Sequence, residues 1–326
     1  MTGGEFWPAW WCRSPHGQTL WSRLARYRPS LTLQRDRVEL NDGDFIDLDW
    51  VNFPDDSQPI VLVIHGLEGS SQSPYALGIL KAIEQRGWRG AVMNLRGCSG
   101  EDNRLARAYH SGDTEDVSTV IHYLKTRNPD TPLAVVGYSI GGNMLLKWLG
   151  EHGHNYASHI NAAVAVSAPF DLGHCADVLS HSLFRIYENY FMKRLKARIM
   201  RKQQTMVMPI SEPELQKLSS IREFDDKITA PLHGFSDAND YYSQSSCRQY
   251  LPHIKHDCLI IHARDDPFMT PAIIPDASEL SDSIEMELYN NGGHVGFVSG
   301  TIPGKANYWL EQRIIEYLGP RMNTND

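Results

Sequence analysis

The sequence predicts an α/β protein built on a mostly parallel sheet, and three observations lead to that fold class. Short apolar runs recur along the 326 residues, and segments with helical periodicity separate most of them. Glycine-rich or polar loops follow the carboxyl ends of these runs. Strands that alternate with helices favour right-handed crossovers and parallel pairing. Functional residues in such sheets lie at the carboxyl ends of the strands, so these loops are the places to search.

The predicted elements follow the chain in a regular order. The strands are a hairpin of residues 37–40 and 45–50, followed by runs at 60–64, 90–94, 133–136, 162–166, 258–263 and 284–289. The helices are 75–86, 114–126, 140–149 and a closing helix at 306–318. We therefore expect a catalytic domain over 31–170 and 256–326, interrupted by an insertion over 171–255.

The amino-acid composition limits the kinds of function that this protein can have. A hydrophobic content of 41% allows a large core, and a formal net charge of -8 argues against nucleic acid as the main partner. The five cysteines are scattered without a C-x-x-C pair, which suits free thiols better than disulfides or a zinc site. The chain has no apolar run of about eighteen residues and no start typical of a secretory signal, so we expect a cytoplasmic protein without a transmembrane segment.

Residues 1–30 are unusually aromatic. Its aromatic residues include Phe6, Trp7, Trp10, Trp11 and Trp21. Tryptophan favours the membrane interface, which would make this segment an interfacial anchor. Aromatic rings also bury large areas at little entropic cost, which would make it an arm packed on the core. We favour the packed arm, and peripheral lipid contact is the less favoured alternative.

Residues 171–255 break the alternation and are expected to form a helical lid insertion. One apolar stripe at helical spacing contains Phe184, Tyr187, Phe191, Leu195 and Ile199. The rest of that helix is basic and is interpreted as a solvated face rather than a lipid-binding one. The stripe either roofs a substrate pocket or only anchors the insertion to the core.

The motif with the clearest chemistry is Gly137-Tyr138-Ser139-Ile140-Gly141, a match to G-x-S-x-G. It joins an apolar strand to a helix, which is the context that a nucleophile elbow requires. Ser139 is therefore the candidate nucleophile. Its hydroxyl needs a base, and the base needs an orienting acid.

The acid and the base are expected after Ser139 in the chain, each at a strand end. Asp265 and Asp266 follow one late strand, and either could supply the carboxylate. His294 lies in a glycine-flanked loop after the next strand and is the candidate base. For the oxyanion hole, the expected backbone N–H donors belong to Leu67 and Ile140.

Metal and dinucleotide chemistry find little support. The sequence has no H-E-x-x-H, no G-x-G-x-x-G and no P-loop. The close pair His152 and His154 is interpreted as a frayed helix end, and His65 as a structural residue. We expect no cofactor and no metal.

Seven segments together resemble one family. They are PHGQTLW at 15–21, HGLEGSSQSPY at 65–75, NLRGCSG at 94–100, YHSGDTEDV at 109–117, GYSIGGN at 137–143, ARDDPF at 263–268 and GGHVGF at 292–297. The chain thereby resembles the α/β-hydrolase superfamily, within it the YheT-type hydrolases related to the mammalian ABHD1 and ABHD3 proteins. It departs from the family pattern at Gly17, where a leucine is usual.

The resemblance implies an α/β-hydrolase fold with a mostly parallel central sheet, flanking helices and a Ser-His-Asp triad. The family count from Ala263 selects Asp266 over Asp265 as the acid. It also implies a serine esterase that cleaves small-molecule acyl esters through an acyl-enzyme, without a cofactor. An acyltransferase on the same fold and a non-catalytic binding protein are the alternatives. The lipid substrates of membrane-anchored relatives are not carried over, and the oligomeric state stays open.

Overall fold

An eight-stranded sheet forms the centre of the protein in this computed structural model, which describes residues 5–52, 58–153, 159–181 and 185–322. Its strands are β1 (Gln34–Glu39), β2 (Phe45–Val51), β3 (Ile60–Ile64), β4 (Arg89–Asn94), β5 (Leu133–Tyr138), β6 (Ala162–Val166), β7 (Cys258–Ala263) and β8 (Ile284–Tyr289). The strand order is β1-β2-β4-β3-β5-β6-β7-β8. β2 runs antiparallel to both neighbours, and every pair from β4 to β8 is parallel. The predicted mostly parallel sheet is confirmed.

Helices cover both faces of this sheet. They include α1 (Pro15–Leu24), α2 (Pro74–Gln85), α3 (Thr114–Arg127), α4 (Ile140–His152) and α11 (Trp309–Leu318). Alternate residues of β3 enter two separate apolar clusters, one containing residues of α3 and α4 and the other residues of α2 and α11. All five residues of β3 are buried, as expected for a strand covered on both faces.

The segment between β6 and β7 is helical. It contains α5 (Leu172–Ser180), α6 (Arg185–Gln203), α7 (Glu212–Lys217), α8 (Ile221–Phe224), a π-helical turn (Asp225–Thr229), α9 (Ala230–His233) and α10 (Ala238–Ser245). Phe184, the first member of the predicted apolar stripe, lies outside the described residues. The helical content agrees with the sequence, whereas the domain boundaries and the role of this segment as a lid stay predictions.

The carboxyl-terminal region differs from the sequence prediction. The closing helix begins at Trp309 instead of residue 306, because residues 305–308 form a strand. That strand, β10 (Lys305–Tyr308), pairs antiparallel with β9 (Val298–Ile302). The turn between them contains Pro303 and Gly304, and Gly304 has a φ of 81° that favours glycine. This Pro-Gly dipeptide was the local signal for a hairpin.

The aromatic arm divides into buried and exposed rings. Phe6 is buried and lies 5.1 Å from Phe297 and 5.5 Å from Trp309, measured between ring centroids. In contrast, Trp7 and Trp10 are 71% and 62% exposed. Phe6 therefore packs on the body, whereas these two tryptophans project from it. Among the described residues, no helix combines the length and the apolarity needed to cross a bilayer.

Candidate active site

Ser139 occupies a strained turn between β5 and α4. Its backbone has a φ of 54° and a ψ of -123°, a combination that residues other than glycine rarely adopt. The neighbouring glycines make this turn possible. A Cβ on Gly137 would lie 2.4 Å from the Gly141 oxygen, and one on Gly141 would lie 2.4 Å from the Ile64 oxygen. Only glycine allows the strand, the helix and β3 to approach so closely.

Three of the predicted side chains meet at the carboxyl edge of the sheet. His294 Nε2 lies 2.9 Å from Ser139 Oγ, and His294 Nδ1 lies 2.8 Å from Asp266 Oδ2. Asp266 is 3% exposed, so its carboxylate is shielded from water. These residues follow β5, β7 and β8, and their hydrogen-bonded chain has the geometry that a Ser-His-Asp triad requires.

The two neighbouring carboxylates, Asp265 and Asp266, have different hydrogen-bond partners. Asp266 Oδ1 accepts a hydrogen bond from Phe268 N at 2.8 Å, so both of its oxygens are engaged. Asp265 turns the other way, where its Oδ1 accepts from Gly293 N at 2.9 Å. Burial raises the pKa of Asp265. Asp265 therefore braces the loop that carries His294, without contacting the imidazole.

The backbone and ring of His294 are held by residues that the sequence did not single out. Its N–H donates to Thr19 Oγ1 on α1 at 2.9 Å, and its ring stacks on Phe268 with centroids 4.1 Å apart. The fully buried Gln18 donates to Val298 O and accepts from Val298 N, which ties the same loop to α1. The segment PHGQTLW contains both α1 residues, but nothing in its pattern assigns them this function.

The predicted oxyanion donors lie beside the same serine. A Cβ on Gly66 would lie 3.1 Å from Ser139 Cβ, so the loop after β3 approaches the nucleophile closely. The N–H groups on either side of Leu67 are occupied, because Gly66 N donates to Tyr75 Oη and Glu68 N donates to Tyr109 Oη. Neither Leu67 N nor the helix-initial Ile140 N is bonded to any residue of the described segments. Both residues line the cavity that contains Ser139.

An ion pair connects this loop to α6. Glu68, with a φ of 53°, pairs with the buried Arg198, and it also accepts a hydrogen bond from Tyr109 Oη at 2.9 Å. Arg194 donates to the Glu68 carbonyl at 3.0 Å. Sequence reasoning did not find this network, because the two arginines lie 126 and 130 residues from Glu68 along the chain. It holds the peptide that follows Leu67.

His65 lies below the same loop and has both ring nitrogens engaged. Nδ1 lies 2.8 Å from Gly66 O, and Nε2 accepts from Leu95 N at 3.0 Å. A carbonyl oxygen can only accept a hydrogen bond, so Nδ1 is the donor and carries the ring proton. Complete burial lowers the pKa of His65 to about 4, so the ring is neutral at pH 7. These contacts agree with the structural role expected for it.

A largely apolar cavity opens from Ser139 toward the helices between β6 and β7. It contains about 1030 Å³ of space that no atom fills, including its mouth. Phe191, Leu195 and Ile199 of the predicted stripe line it from α6. Tyr187 instead packs against Phe268, with ring centroids 4.9 Å apart. The stripe therefore faces the candidate site.

Metal ligation finds no support in the part of the chain that the structure describes, where no three His, Cys, Asp or Glu side chains are grouped to hold an ion. His152 stacks on Trp148 at the end of α4, and its predicted neighbour His154 lies outside the described residues. All five cysteines are free.

Comparison with known proteins places the chain in a family. Residues 59–301 match the alpha/beta hydrolase fold family. The protein belongs to that family. The chain is 44% identical over 321 residues to the Escherichia coli K-12 candidate esterase YheT, covering 97% of this chain and 94% of that protein. It is 30% identical over 312 residues to the Bos taurus phospholipase ABHD3, covering 93% of this chain and 75% of that protein.

Solved structures agree on the fold. The Pyrococcus furiosus esterase Pf2001 superposes with a TM-score of 0.58 at 15% identity, over 92% of this chain and 99% of that one. The predicted alpha/beta hydrolase fold and the predicted resemblance to YheT-type hydrolases are confirmed. The comparisons support a hydrolase, while the catalytic assignments of the individual residues stay predictions.

Proposed function

We propose that this protein hydrolyses carboxylic acyl esters through an acyl-enzyme formed on Ser139. The observation that carries the proposal is the hydrogen-bonded chain from Asp266 through His294 to Ser139, whose histidine and serine line a largely apolar cavity. The names of two relatives, an esterase candidate and a phospholipase, support the same class of ester substrate.

In the first half-reaction, Ser139 Oγ attacks the carbonyl carbon while His294 Nε2 takes the hydroxyl proton. Asp266 accepts the Nδ1–H hydrogen bond, which fixes the tautomer and stabilises the imidazolium. The carbonyl oxygen becomes an oxyanion, and the free N–H groups of Leu67 and Ile140 are positioned to donate to it. The tetrahedral intermediate then breaks its ester C–O bond, and the alcohol leaves with the proton from Nε2.

In the second half-reaction, water replaces the alcohol. His294 Nε2 takes a proton from the water as its oxygen attacks the acyl carbon. The bond to Ser139 Oγ breaks, the proton returns to that oxygen, and the carboxylic acid departs. Ser139 and His294 thereby regain their starting protonation states. The apolar cavity wall supports an acyl chain as the group that is held during both steps.

The test combines turnover with active-site labelling. We expect the protein to hydrolyse p-nitrophenyl acetate and butyrate, and a fluorophosphonate probe to label Ser139. Ser139→Ala should abolish both, with turnover lower by several orders of magnitude, while thermal unfolding stays unchanged. Ser99→Ala is the matched control and should keep both activities.

Three results would contradict the proposal. Absence of both turnover and labelling would favour a binding protein on this fold. An adduct on Ser99 or Ser167 would show that Ser139 is not the nucleophile. Acyl transfer to an added alcohol or thiol that outpaces hydrolysis would favour the acyltransferase alternative.

A further inference from the structure

Two histidines line the cavity away from the catalytic chain. His110 precedes α3 and His233 ends α9, and both line the same cavity as Ser139. Their rings meet edge to face with centroids 4.5 Å apart. This histidine pair, His110 and His233, has no part in the reaction described above, although it faces the same space.

Hydrogen bonds connect the segment that carries His110 to the helix that follows the nucleophile. Asn143 Nδ2 donates to Ser111 O at 2.8 Å, and Asn143 N donates to Ser139 O at 3.1 Å. Asn143 therefore lies about one turn, roughly 6 Å, along α4 from the serine. Ser111 adjoins His110, so the segment that carries His110 lies beside the first turn of α4, and both histidines line the same cavity as Ser139. A substrate of ordinary length can reach both.

The pair presents polar atoms to the cavity. His110 Nδ1 accepts from Gly112 N at 3.2 Å, which puts the proton of the neutral ring on Nε2. Within the described segments, neither His110 Nε2 nor either ring nitrogen of His233 is hydrogen-bonded to another residue. Each neutral imidazole therefore retains at least one group that a ligand can satisfy.

Both rings are uncharged at pH 7. Burial, together with the positive charge of Arg107, lowers the pKa of His110 to about 3. Burial also lowers the pKa of His233 to about 2, with the positive charges of nearby residues adding to the effect. An anionic ligand would therefore find no imidazolium here.

The charged side chains of this cavity wall are already paired. Asp225 accepts from Thr229 Oγ1 at 2.6 Å and from Tyr242 Oη at 2.7 Å, one bond to each carboxylate oxygen. Arg198 pairs with Glu68. The ring nitrogens of the pair are thus polar groups at this end of the cavity that have no hydrogen-bond partner within the described segments, whereas the charged groups beside them are paired.

We propose that His110 and His233 form a subsite for an uncharged, oxygen-bearing group of the substrate, such as a hydroxyl. This inference rests on the proposed ester hydrolysis at Ser139. A hydroxyl can both donate to and accept from neutral imidazoles, whereas a methyl group at the same place would leave their ring nitrogens without a partner in the closed site. The subsite therefore selects esters that carry a polar group remote from the scissile bond.

The experiment compares paired esters that differ only in one hydroxyl. In one series, the hydroxyl ends a straight acyl chain of a p-nitrophenyl ester, and in the other it lies on the alcohol of a fatty acid ester. The readout is the ratio of kcat/KM for the hydroxylated and plain members. His233→Phe keeps a ring but removes its nitrogens, His233→Gln keeps an amide donor, and Leu232→Met is the apolar control from the same wall.

We expect wild type and Leu232→Met to favour the hydroxylated member of at least one pair. His233→Phe should lower that ratio roughly two- to tenfold, the effect of one hydrogen bond, mainly through KM. His233→Gln should restore part of the preference, which a purely structural role would not do.

An active wild type that prefers the plain ester in every pair would overturn the subsite, and this result requires no variant to fold. An unchanged ratio in folded His233→Phe would overturn it as well. Both outcomes leave ester hydrolysis intact. A wild type that cleaves no ester would instead refute the function on which the subsite rests.

Discussion

Replacing Asp266 by asparagine is the most direct test of the catalytic chain. Asp266 accepts hydrogen bonds from two N–H groups, Phe268 N and His294 Nδ1, both at 2.8 Å. Asparagine offers one acceptor oxygen and one NH₂ donor, so it cannot satisfy both. If the amide oxygen stays with Phe268, its NH₂ faces His294 and forces the tautomer with the proton on Nε2. That tautomer cannot take the proton of Ser139.

The expected loss is therefore large and falls on the chemical step. In serine proteases with a Ser-His-Asp triad, the same change of aspartate to asparagine leaves the wrong tautomer and lowers kcat by on the order of 10⁴-fold. We expect Asp266→Asn to lower kcat by about 10³- to 10⁴-fold with little change in KM. Alternatively, the amide oxygen turns to His294 and leaves Phe268 N facing a donor, which costs about 1–3 kcal/mol of stability.

Asp265→Asn is the matched control, because it makes the same chemical change one residue away. The amide oxygen of the new asparagine can still accept from Gly293 N. In wild type the Asn291 amide lies 3.4 Å from the other carboxylate oxygen of Asp265, and in the variant it can rotate so that its own oxygen accepts from the new NH₂ group. We expect kcat within about tenfold of wild type, since no member of the catalytic chain is touched.

Steady-state hydrolysis of p-nitrophenyl butyrate measures both variants, and thermal unfolding checks that each is folded. The reasoning fails if Asp265→Asn is the more damaging change. It also fails if folded Asp266→Asn keeps more than a tenth of the wild-type kcat.

Three further predictions concern the cavity, the oxyanion loop and a buried histidine. Phe191 lines the cavity, so in a series of p-nitrophenyl esters of increasing acyl-chain length kcat/KM should rise roughly three- to fourfold per carbon and then stop rising. In Phe191→Ala the rise should continue to longer chains. If it stops at the same chain length as in wild type, Phe191 only anchors α6. Glu68→Gln leaves Arg198 buried without its counter-charge, so we expect the free energy of unfolding in denaturant to fall by about 3–5 kcal/mol and kcat to decrease. An unchanged kcat would show that this ion pair does not position the oxyanion loop. Burial lowers the pKa of His65 from 6.5 to about 4, so the stability that its neutral ring contributes is complete above pH 6.5 and is lost as the pH falls toward 4. Between pH 8 and pH 5, wild type should lose about 2 kcal/mol more unfolding free energy than His65→Gln, and equal losses would contradict the assignment.

Much of the sheet could be predicted from sequence, because its strands are contiguous apolar runs. The predicted bounds of β3, β6, β7 and β8 agree with the structure residue for residue. The strands β9 and β10 were missed because their residues are mostly polar or half-exposed, so neither shows the apolar run or clean alternation of a buried strand.

The site divides in the same way. The Ser139 turn needs glycines at fixed offsets in a strand-turn-helix context, and those demands lie within a few residues of one another. The sequence therefore determined the elbow and the neighbourhoods of the acid and the base. It could not choose by itself between Asp265 and Asp266, because both follow β7 and only the path of the loop decides which carboxylate meets His294.

The remaining parts of the site depend on contacts between distant segments. Thr19 meets the His294 loop across 275 residues, and Arg198 meets Glu68 across 130. The pairing of His110 with His233 likewise follows from where α9 packs. The sequence alone determined the strands of the central sheet, the elbow and the neighbourhoods of the acid and the base, since local backbone geometry and short-range hydrophobic pattern specify them. Only the tertiary structure decided what orients His294, what holds the oxyanion loop and what lines the cavity, because those partners are set by strand order and helix packing.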